Sequence, residues 1–291
     1  MLDCAIIGAG PAGITASLYL KRAGHMIALF EKNLIGGLVR NANLIENYPG
    51  FPQGISGEAL CTILETQIEH HHIPISFESI EELLIQDAHF LLKSNKGRYV
   101  TKTILLSTGT ISKPLNKNKY DTASKSLIFY DITTLISNIK ENQICIILGG
   151  GDAAFDYALN LSQRKIKSKI LFRSNKPTCL PLLLARTKQE SNIEIISNAD
   201  LKKITKQNLK TMKVTYDTTN GEYSLQSDFL LVAHGRTSND ILFSKYHEKD
   251  NIPGLYFAGD VQTGKYRQIG VAVGQGLLTA MKIDEYLREK I

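Results

Sequence analysis

The sequence predicts an α/β fold with two three-layer domains of the Rossmann type, the second inserted into a split first domain. Three observations support this prediction. A glycine-rich turn at residues 8–13 follows an apolar strand and opens a helix, and the same order recurs at residues 149–154. Near the end of the chain, a third apolar strand ends in Gly259-Asp260 and precedes a long helix. Strands and helices that alternate in this way build parallel sheets covered on both faces.

The first glycine-rich turn reads Gly8-Ala9-Gly10-Pro11-Ala12-Gly13 and lies between a strand over 2–7 and a helix over 12–23. Gly8 permits a tight turn, Gly10 lets backbone approach a pyrophosphate, and Gly13 lets the helix pack closely on the strand. The helix N-terminus favours phosphate groups. A second strand, 26–30, leads to Glu31, which is spaced to bind a ribose diol. The pattern predicts a dinucleotide site, and an ordinary glycine turn is the alternative.

The second turn, residues 149–154, follows a strand over 143–148 and opens a helix over 153–163. Ala154 takes the third, close-packing position, which the dinucleotide-binding pattern allows. A further strand spans 168–172. Two nucleotide sites in one chain predict two cofactors side by side, which is typical of an electron-transfer enzyme.

Two strand ends bracket this second unit. One strand over 104–109 runs into polar, lysine-rich sequence, and another over 229–233 runs into His234-Gly235-Arg236. We therefore expect a first domain made of residues 1–112 and 239–291, and an inserted domain made of residues 113–238.

The returning segment supplies a third predicted site. A strand that begins at Leu255 ends in Gly259-Asp260, and a helix follows over 270–287. Asp260 is placed to bind the ribityl or phosphate region of a flavin. The helix N-terminus would stabilise charge on the flavin ring. A capping Asp in a glycine-rich turn is the alternative.

Composition limits the class of protein. The 291 residues are 43% hydrophobic and 21% charged, and no uncharged apolar run reaches membrane-spanning length. The N-terminus enters the first strand directly, so we expect no signal peptide, no membrane partner and a cytoplasmic location. The net charge of +6 favours acidic partners, including small electron carriers. No recognisable motif indicates nucleic-acid binding.

The four cysteines are scattered and form no Cys-x-x-Cys pair, and no metal-ligand spacing is present. We expect Cys4, Cys61 and Cys145 to be buried hydrophobic residues. Cys179 follows Pro177 in a predicted loop and is the one candidate for a reactive thiol.

Several segments together resemble the low-molecular-weight thioredoxin reductase superfamily, in the same order and over nearly the whole chain. They are GAGPAG at 8–13, Glu31-Lys32, Gly36-Gly37-Leu38, ENYPGFP at 46–52, Ser107-Thr108-Gly109, GGGDAA at 149–154, and AGDV at 258–261 with Arg267-Gln268-Ile269. The resemblance implies non-covalent FAD in the split domain, NAD(P)H in the inserted domain, and a homodimer.

Candidate cofactor-binding residues follow from the turns and from this resemblance. For FAD they are Gly8, Gly10, Pro11, Ala12, Gly13, Glu31, Lys32, Gly36, Gly37, Leu38, Asn47, Thr108, Gly109, Gly259, Asp260, Arg267, Gln268 and Ile269. For the nicotinamide cofactor they are Gly149, Gly151, Asp152, Ala153, Ala154, Arg173 and Gly235. No catalytic acid or base is expected, because hydride transfer to a flavin needs position and electrostatics from the protein.

The chain departs from thioredoxin reductase at one place. That enzyme carries Cys-x-x-Cys-Asp before the second nucleotide strand, whereas residues 127–131 here read Leu-Ile-Phe-Tyr-Asp. A dithiol is needed to pass two electrons from flavin to a disulfide. The segment is more similar to the thioredoxin-reductase-like ferredoxin–NADP reductases, so we expect a ferredoxin or flavodoxin acceptor. An atypical disulfide reductase and a non-enzymatic FAD-binding sensor are the alternatives.

The nicotinamide cofactor is expected to be NADPH, with NADH as the alternative. Members of the superfamily that use NADPH carry several arginines after the third strand of the inserted domain. Here the matching residues are Phe172-Arg173-Ser174, with Lys176 nearby. These side chains would bind a 2′-phosphate by charge-assisted hydrogen bonds.

Overall fold

The computed structural model describes residues 1–86, 89–244 and 252–289, and its elements agree with the predicted α/β class. The strands are β1 (Leu2–Ile7), β2 (Ile27–Glu31), β3 (Ile75–Phe77), β4 (Ile80–Gln86), β5 (His89–Ser94), β6 (Arg98–Leu106), β7 (Thr110–Ser112), β8 (Ile128–Phe129), β9 (Ile144–Leu148), β10 (Lys167–Leu171), β11 (Ile193–Ile196), β12 (Asp200–Lys206), β13 (Met212–Thr218), β14 (Gly221–Ser227), β15 (Phe229–Val232), β16 (Arg236–Ser238) and β17 (Leu255–Phe257). The helices are α1 (Pro11–Arg22), α2 (Gly57–His70), α3 (Ile132–Ile136), α4 (Asp152–Gln163), α5 (Pro181–Gln189) and α6 (Ile269–Glu289).

The chain forms two compact units. Unit 1 contains Met1–Arg40, Ile45–Ile111 and Thr237–Ile291, and unit 2 contains Asn41–Leu44 and Ser112–Arg236. The short strands β7 and β16 pair with each other where the chain passes from one unit to the other.

Unit 1 is built on a sheet with the strand order β3-β2-β1-β6-β5-β4, and β17 also pairs with β6. Strands β1, β2, β3, β6 and β17 are parallel, whereas β4, β5 and β6 are antiparallel. Strand β6 is shared by the two parts of the sheet, because its residues 98–101 pair with β5 and its residues 101–106 pair with β1. Side chains from α1, α6 and α2 pack on one face of the parallel strands, and side chains from β4 and β5 pack on the other. Helix α6 lies so close to α1 that a Cβ at Gly276 would overlap the carbonyl group of Ala12.

Unit 2 is built on a parallel sheet with the order β11-β10-β9-β15-β8. Helices α3, α4 and α5 cover one face, and the antiparallel sheet β12-β13-β14 covers the other. In both units, therefore, helices cover one face of the parallel sheet and antiparallel strands cover the opposite face. This gives each unit three layers, the arrangement that the sequence predicted.

Several predicted element ends differ from the structure by one or more residues, and backbone dihedral angles explain two of these differences. The amphipathic pattern of residues 57–72 predicts one helix over that range. Helix α2 ends at His70, because His72 adopts a φ of +50° that a helix cannot continue. The predicted strand over 104–109 ends at Leu106, and Gly109 has a φ of +65°, so the chain turns before β7. No helix in the described part of the chain is long and apolar enough to cross a membrane.

Candidate functional site

The first glycine-rich turn of unit 1 is fixed by backbone packing at Gly8 and Gly13. Gly8 has a φ of +107°, and a Cβ there would overlap the carbonyl group of Ser107. A Cβ at Gly13 would overlap the carbonyl oxygen of Gly8. Neither position therefore accepts a side chain without displacing the backbone.

Gly10 is different, because a Cβ at this position would meet no atom within 4 Å. Gly10 is also the N-cap of α1, and no described side chain caps this helix end. Open space beside a helix N-terminus, with Pro11 and Ala12 in the first turn, suits the close approach of an anionic phosphate. The turn therefore fits the pyrophosphate of a dinucleotide.

Glu31 and the segment 36–38 both contact this turn. The Glu31 carboxylate accepts hydrogen bonds from the backbone N–H groups of Ala9 and Asn33, both at 2.9 Å. Gly36 donates its N–H to the Ala9 carbonyl at 2.8 Å, and a Cβ at Gly37 would lie 3.4 Å from the Gly10 Cα. The structure thus brings these predicted residues together, while the neighbouring Lys32 side chain is exposed and Leu38 is half-buried.

Ser107 is a structural contributor that we did not include among the candidate site residues. Its hydroxyl donates to the carbonyl oxygens of Gly8 at 2.8 Å and Ile7 at 3.1 Å. The signal available in the sequence was a hydroxyl residue at the end of a strand that runs beside β1. Thr108 donates to the Asn239 carbonyl at 2.6 Å, and Gly109 accepts from the Asn239 N–H at 2.9 Å.

The segment after β17 lies against the first glycine-rich turn. Gly259 has a φ of +80°, and a Cβ there would lie 3.0 Å from the Ala12 Cβ. Gln275 of α6 accepts the Gly259 N–H at 2.8 Å and is a further residue that the sequence did not indicate. Asp260 follows directly and is half-buried.

The turn between β17 and α6 also carries predicted residues. The Asn47 side chain donates to Gln268 Oε1 at 2.9 Å, and Arg267 and Ile269 flank Gln268. In the same turn, the hydroxyl oxygen of Thr263 is buried and has no hydrogen-bond partner among the described residues. A buried polar atom of this kind suits a polar ligand, because an unsatisfied buried hydroxyl is costly.

In unit 2, the second glycine-rich turn repeats the packing of the first. Gly149 has a φ of +148°, and a Cβ there would overlap the Ala233 carbonyl. Gly151 is the N-cap of α4 and has no described side-chain cap, and Ala154 is fully buried. The predicted residues Asp152 and Ala153 form the first turn of this helix.

The segment after β10 folds back onto this turn. Thr178 donates its N–H to the Gly150 carbonyl at 2.7 Å, and Leu180 donates its N–H to Asp152 at 2.8 Å. Arg173 and Lys176 are exposed in the same segment. The structure therefore brings the predicted phosphate-binding side chains into a segment attached to the second turn.

Gly235 lies where the chain leaves unit 2. It has a φ of +126° and accepts the Lys113 N–H at 3.0 Å. A Cβ at Gly235 would lie 3.6 Å from the Lys113 side chain.

Asp131 begins helix α3 of unit 2, in the segment where the resemblance implied a dithiol. Its carboxylate accepts hydrogen bonds from the N–H groups of Thr133 at 3.0 Å and Thr134 at 3.2 Å, from the Thr133 hydroxyl, and from the Asn41 side chain at 2.9 Å. Burial alone would raise the pKa of Asp131, but these hydrogen bonds outweigh it and hold the pKa below its usual value. Asp131 is therefore ionised, and its carboxylate caps the N-terminus of α3.

All four cysteines of the sequence are free thiols. Cys4, Cys61 and Cys145 have no exposed surface, and burial raises the pKa of Cys4 to about 12 and of Cys61 to about 11. Cys179 is half-buried, and burial followed by the charge of Asp152 raises its pKa as well. A raised pKa leaves little thiolate, so these side chains are weak nucleophiles. Among the described residues, no group of three or more His, Cys, Asp or Glu side chains is arranged to hold a metal ion.

Comparison with known proteins agrees with this geometry. Residues 2–276 match the family described as pyridine nucleotide-disulphide oxidoreductase. The thioredoxin reductase of Helicobacter pylori is 26% identical over an alignment 310 residues long, which covers 99% of each chain. A 34.2 kDa protein in the rubredoxin operon of Clostridium pasteurianum is 27% identical over 99% of this chain and 98% of its own.

The fold comparison gives the same result. The crystal structure of Lactococcus lactis thioredoxin reductase matches with a TM-score of 0.91 and 25% identity, covering 99% of this chain and 100% of that one. The predictions of the superfamily, the two Rossmann-type domains and the cofactors FAD and NADPH are confirmed. The chain belongs to the pyridine nucleotide-disulphide oxidoreductase family and is an NAD(P)H-dependent flavoprotein oxidoreductase of the thioredoxin reductase type.

Proposed function

We propose that this protein takes hydride from NADPH and passes electrons to a small acidic carrier protein of the ferredoxin or flavodoxin type, without a dithiol. FAD, when bound, supplies the chemistry, because it accepts hydride and gives up electrons. The protein supplies binding, orientation and the exclusion of competing acceptors.

One observation carries this proposal, namely the state of the four cysteines. Disulfide reduction through a flavin proceeds by thiol–disulfide exchange and requires an accessible thiolate. Here three thiols have no exposed surface, and the fourth has a raised pKa. Tyr130 and Asp131 stand in the segment where the related enzymes carry the dithiol, and Asp131 is engaged in capping α3. A one-electron carrier needs no protein thiol.

The distribution of charge supports an acidic partner. Unit 2 contains 19 Lys and Arg residues and 11 Asp and Glu residues, a formal charge of +8. Because the whole chain carries +6, the residues of unit 1 together carry −2. Opposite charges steer association and raise the encounter rate. We assign this role to unit 2, and the relative from a rubredoxin operon supports an electron-carrier partner.

We assign FAD to the split domain, residues 1–112 and 239–291, and NADPH to residues 113–238. Three features support FAD in this domain. They are the open space beside Gly10, the Glu31 carboxylate that accepts a hydrogen bond from the N–H of Ala9 in the same turn, and the buried Thr263 hydroxyl. The support for NADPH is the uncapped N-terminus of α4 with Arg173 in the adjoining segment.

The first experiment is anaerobic addition of NADPH to the purified protein, followed by the visible absorbance of the flavin. We expect stoichiometric bleaching, and then re-oxidation by an added ferredoxin or flavodoxin that slows as ionic strength rises. Bound flavin that neither NADPH nor NADH bleaches would support the sensor alternative and contradict the proposal. Bleaching without re-oxidation by either carrier would contradict the acceptor assignment alone.

The disulfide reductase alternative is favoured by the names of the relatives, several of which are thioredoxin reductases. Such an activity would have to use Cys179, since the other thiols have no exposed surface. The Cys179→Ser variant separates the two functions. We expect unchanged NADPH-driven turnover, and loss of turnover would support a disulfide reductase.

We also propose a homodimer and a cytoplasmic location. An exposed apolar stripe on α6 supports the dimer, since Val271, Leu278 and Met281 are 38%, 55% and 49% exposed. The four free thiols support a reducing compartment. Light scattering tests the dimer, and Leu278→Glu should give monomers if the stripe forms the interface.

A further inference from the structure

Helix α2 contacts the loop that carries Gly36 and Gly37, and the first contact is made by Cys61. The Cys61 side chain has no exposed surface. Gly36 has a φ of +96°, and a Cβ at this position would overlap the Cys61 sulfur atom. The sulfur therefore occupies the space next to the Gly36 Cα, and the volume at position 61 limits where Gly36 can lie.

The second contact is made by Arg40, which follows the same loop. Its guanidinium donates to the Ile35 carbonyl at 2.9 Å and to Glu65 Oε1 at 2.6 Å. Glu65 lies four residues after Cys61, so both side chains project from the same face of α2. The Arg40 side chain is only 18% exposed, and a partly buried, charge-assisted pair holds its geometry firmly.

The loop 36–38 also contacts the first glycine-rich turn. The N–H of Gly36 donates to the Ala9 carbonyl at 2.8 Å, and a Cβ at Gly37 would lie 3.4 Å from the Gly10 Cα. A displacement of Gly36 would therefore move the backbone that borders the open space at Gly10. All of these residues belong to unit 1.

We propose that Cys61, Arg40 and Glu65 are positioning residues for FAD, which hold the loop 36–38 and the turn 8–13 in the geometry that binds the cofactor. The proposal rests on the proposed assignment of these two segments to FAD. Cys61 acts through its volume and not through its thiol chemistry. Arg40 and Glu65 act through the hydrogen bond between their side chains, which ties the loop to α2.

Two substitutions test these roles in the full-length protein. Cys61→Leu adds volume against Gly36, and Arg40→Met keeps the side-chain length but removes the hydrogen bonds to Ile35 and Glu65. Cys145→Leu is the matched control, since it adds the same volume at a fully buried cysteine of unit 2. Cys61→Ser keeps nearly the same volume without a thiol, and Glu65→Gln keeps the Oε1 acceptor for Arg40. Both are conservative variants and should retain FAD.

The readouts are the dissociation constant for FAD from flavin fluorescence, the shape of the visible flavin spectrum, and the unfolding midpoint without FAD. We expect Cys61→Leu and Arg40→Met to weaken FAD binding about tenfold or more, and the control to change it less than about twofold. If Cys61→Leu does not fold, the FAD dissociation constants of Arg40→Met and Glu65→Gln are compared instead. Weaker binding by Arg40→Met alone supports the proposal, and equal binding by both variants contradicts it.

Two outcomes overturn the proposal in distinguishable ways. If the wild-type protein binds FAD and Cys61→Leu and Arg40→Met bind it equally well, the positioning roles are wrong and the FAD assignment stands. If the wild-type protein does not bind FAD, the proposed function fails and this proposal fails with it.

Discussion

The side-chain amide of Asn47 donates a hydrogen bond to the side-chain oxygen of Gln268 at 2.9 Å, across 221 residues of sequence. The bond joins the segment 46–52 to the turn that precedes α6, and both residues belong to unit 1. The two residues were predicted to contact the flavin. Their direct bond indicates that each one orients the other.

The first prediction concerns this pair. Asn47→Ala and Gln268→Ala should each weaken FAD binding by roughly 3- to 10-fold, because one hydrogen bond is worth about 0.5–1.5 kcal/mol. The double variant should be little worse than either single one, since both remove the same bond. Flavin fluorescence titration measures this. Fully additive losses would show that the two side chains act independently, and Asn95→Ala, an exposed turn residue of unit 1, is the control.

Gly10 and Gly13 should respond differently to alanine. Gly10 has a φ of −79° and open space around it, so Gly10→Ala should leave the stability without FAD within about 0.5 kcal/mol of wild type. Its methyl group would occupy the space that phosphate needs, and FAD affinity should fall about tenfold or more.

Gly13→Ala is the matched comparison, because its Cβ would overlap the Gly8 carbonyl. We expect a loss of roughly 1–3 kcal/mol of stability even without FAD. Denaturant titration of the FAD-free protein distinguishes the two variants. If Gly10→Ala bound FAD as well as the wild-type protein does, the proposal that the pyrophosphate lies beside Gly10 would be wrong.

Arg173 should select NADPH over NADH. The side chain is exposed in the segment that folds back onto Gly150, and a 2′-phosphate is the group that an arginine would recognise. In Arg173→Ala we expect kcat/KM for NADPH to fall by roughly 10- to 100-fold, because hydrogen bonds to charged groups contribute about 1.5–3 kcal/mol. The value for NADH should not change. Steady-state kinetics with both cofactors measures this, with Lys188→Ala as an exposed control from α5.

Asp156 should make unit 2 less stable as pH rises. Burial raises its pKa to about 6 from the ordinary value of 3.8, and the charge of Asp152 adds to this. The folded state therefore holds its proton in a range where the unfolded state has lost it. The free energy of unfolding therefore decreases as pH rises from about 4 to about 6, and it stays at the lower value at higher pH.

Asp156→Asn removes the free-energy cost of ionising a buried carboxyl group. The amide oxygen of the new side chain can still accept the Asn43 N–H, which lies 2.8 Å from the Asp156 carboxylate. We expect a gain of up to ~3 kcal/mol at about pH 8 and none at about pH 4. Urea denaturation followed by circular dichroism measures it. A gain that does not vary with pH would contradict the assignment, and the exposed Asp200→Asn is the control.

Local sequence patterns were sufficient for much of the fold. The strand at 2–7 was predicted with the bounds that β1 has, and α1, α4 and α6 begin within a residue of their predicted starts. These elements are specified by short-range features, namely apolar runs, glycine spacing and helix starts. The glycines of both turns were also identified, because the need for a positive φ or a close approach is visible as glycine itself.

The sequence by itself determined the family, the two glycine-rich turns and the absence of a Cys-x-x-Cys pair, and it predicted two cofactors. Only the tertiary structure decided which distant side chains support the first turn and the two segments that lie against it. Ser107 binds Gly8, Gln275 binds Gly259, and Cys61 packs against Gly36. The spacing of these residues along the chain carries no signal of the contact, since the contact depends on how strands and helices pack in space. Local preferences thus gave the elements, while packing over long sequence separations gave the site its geometry.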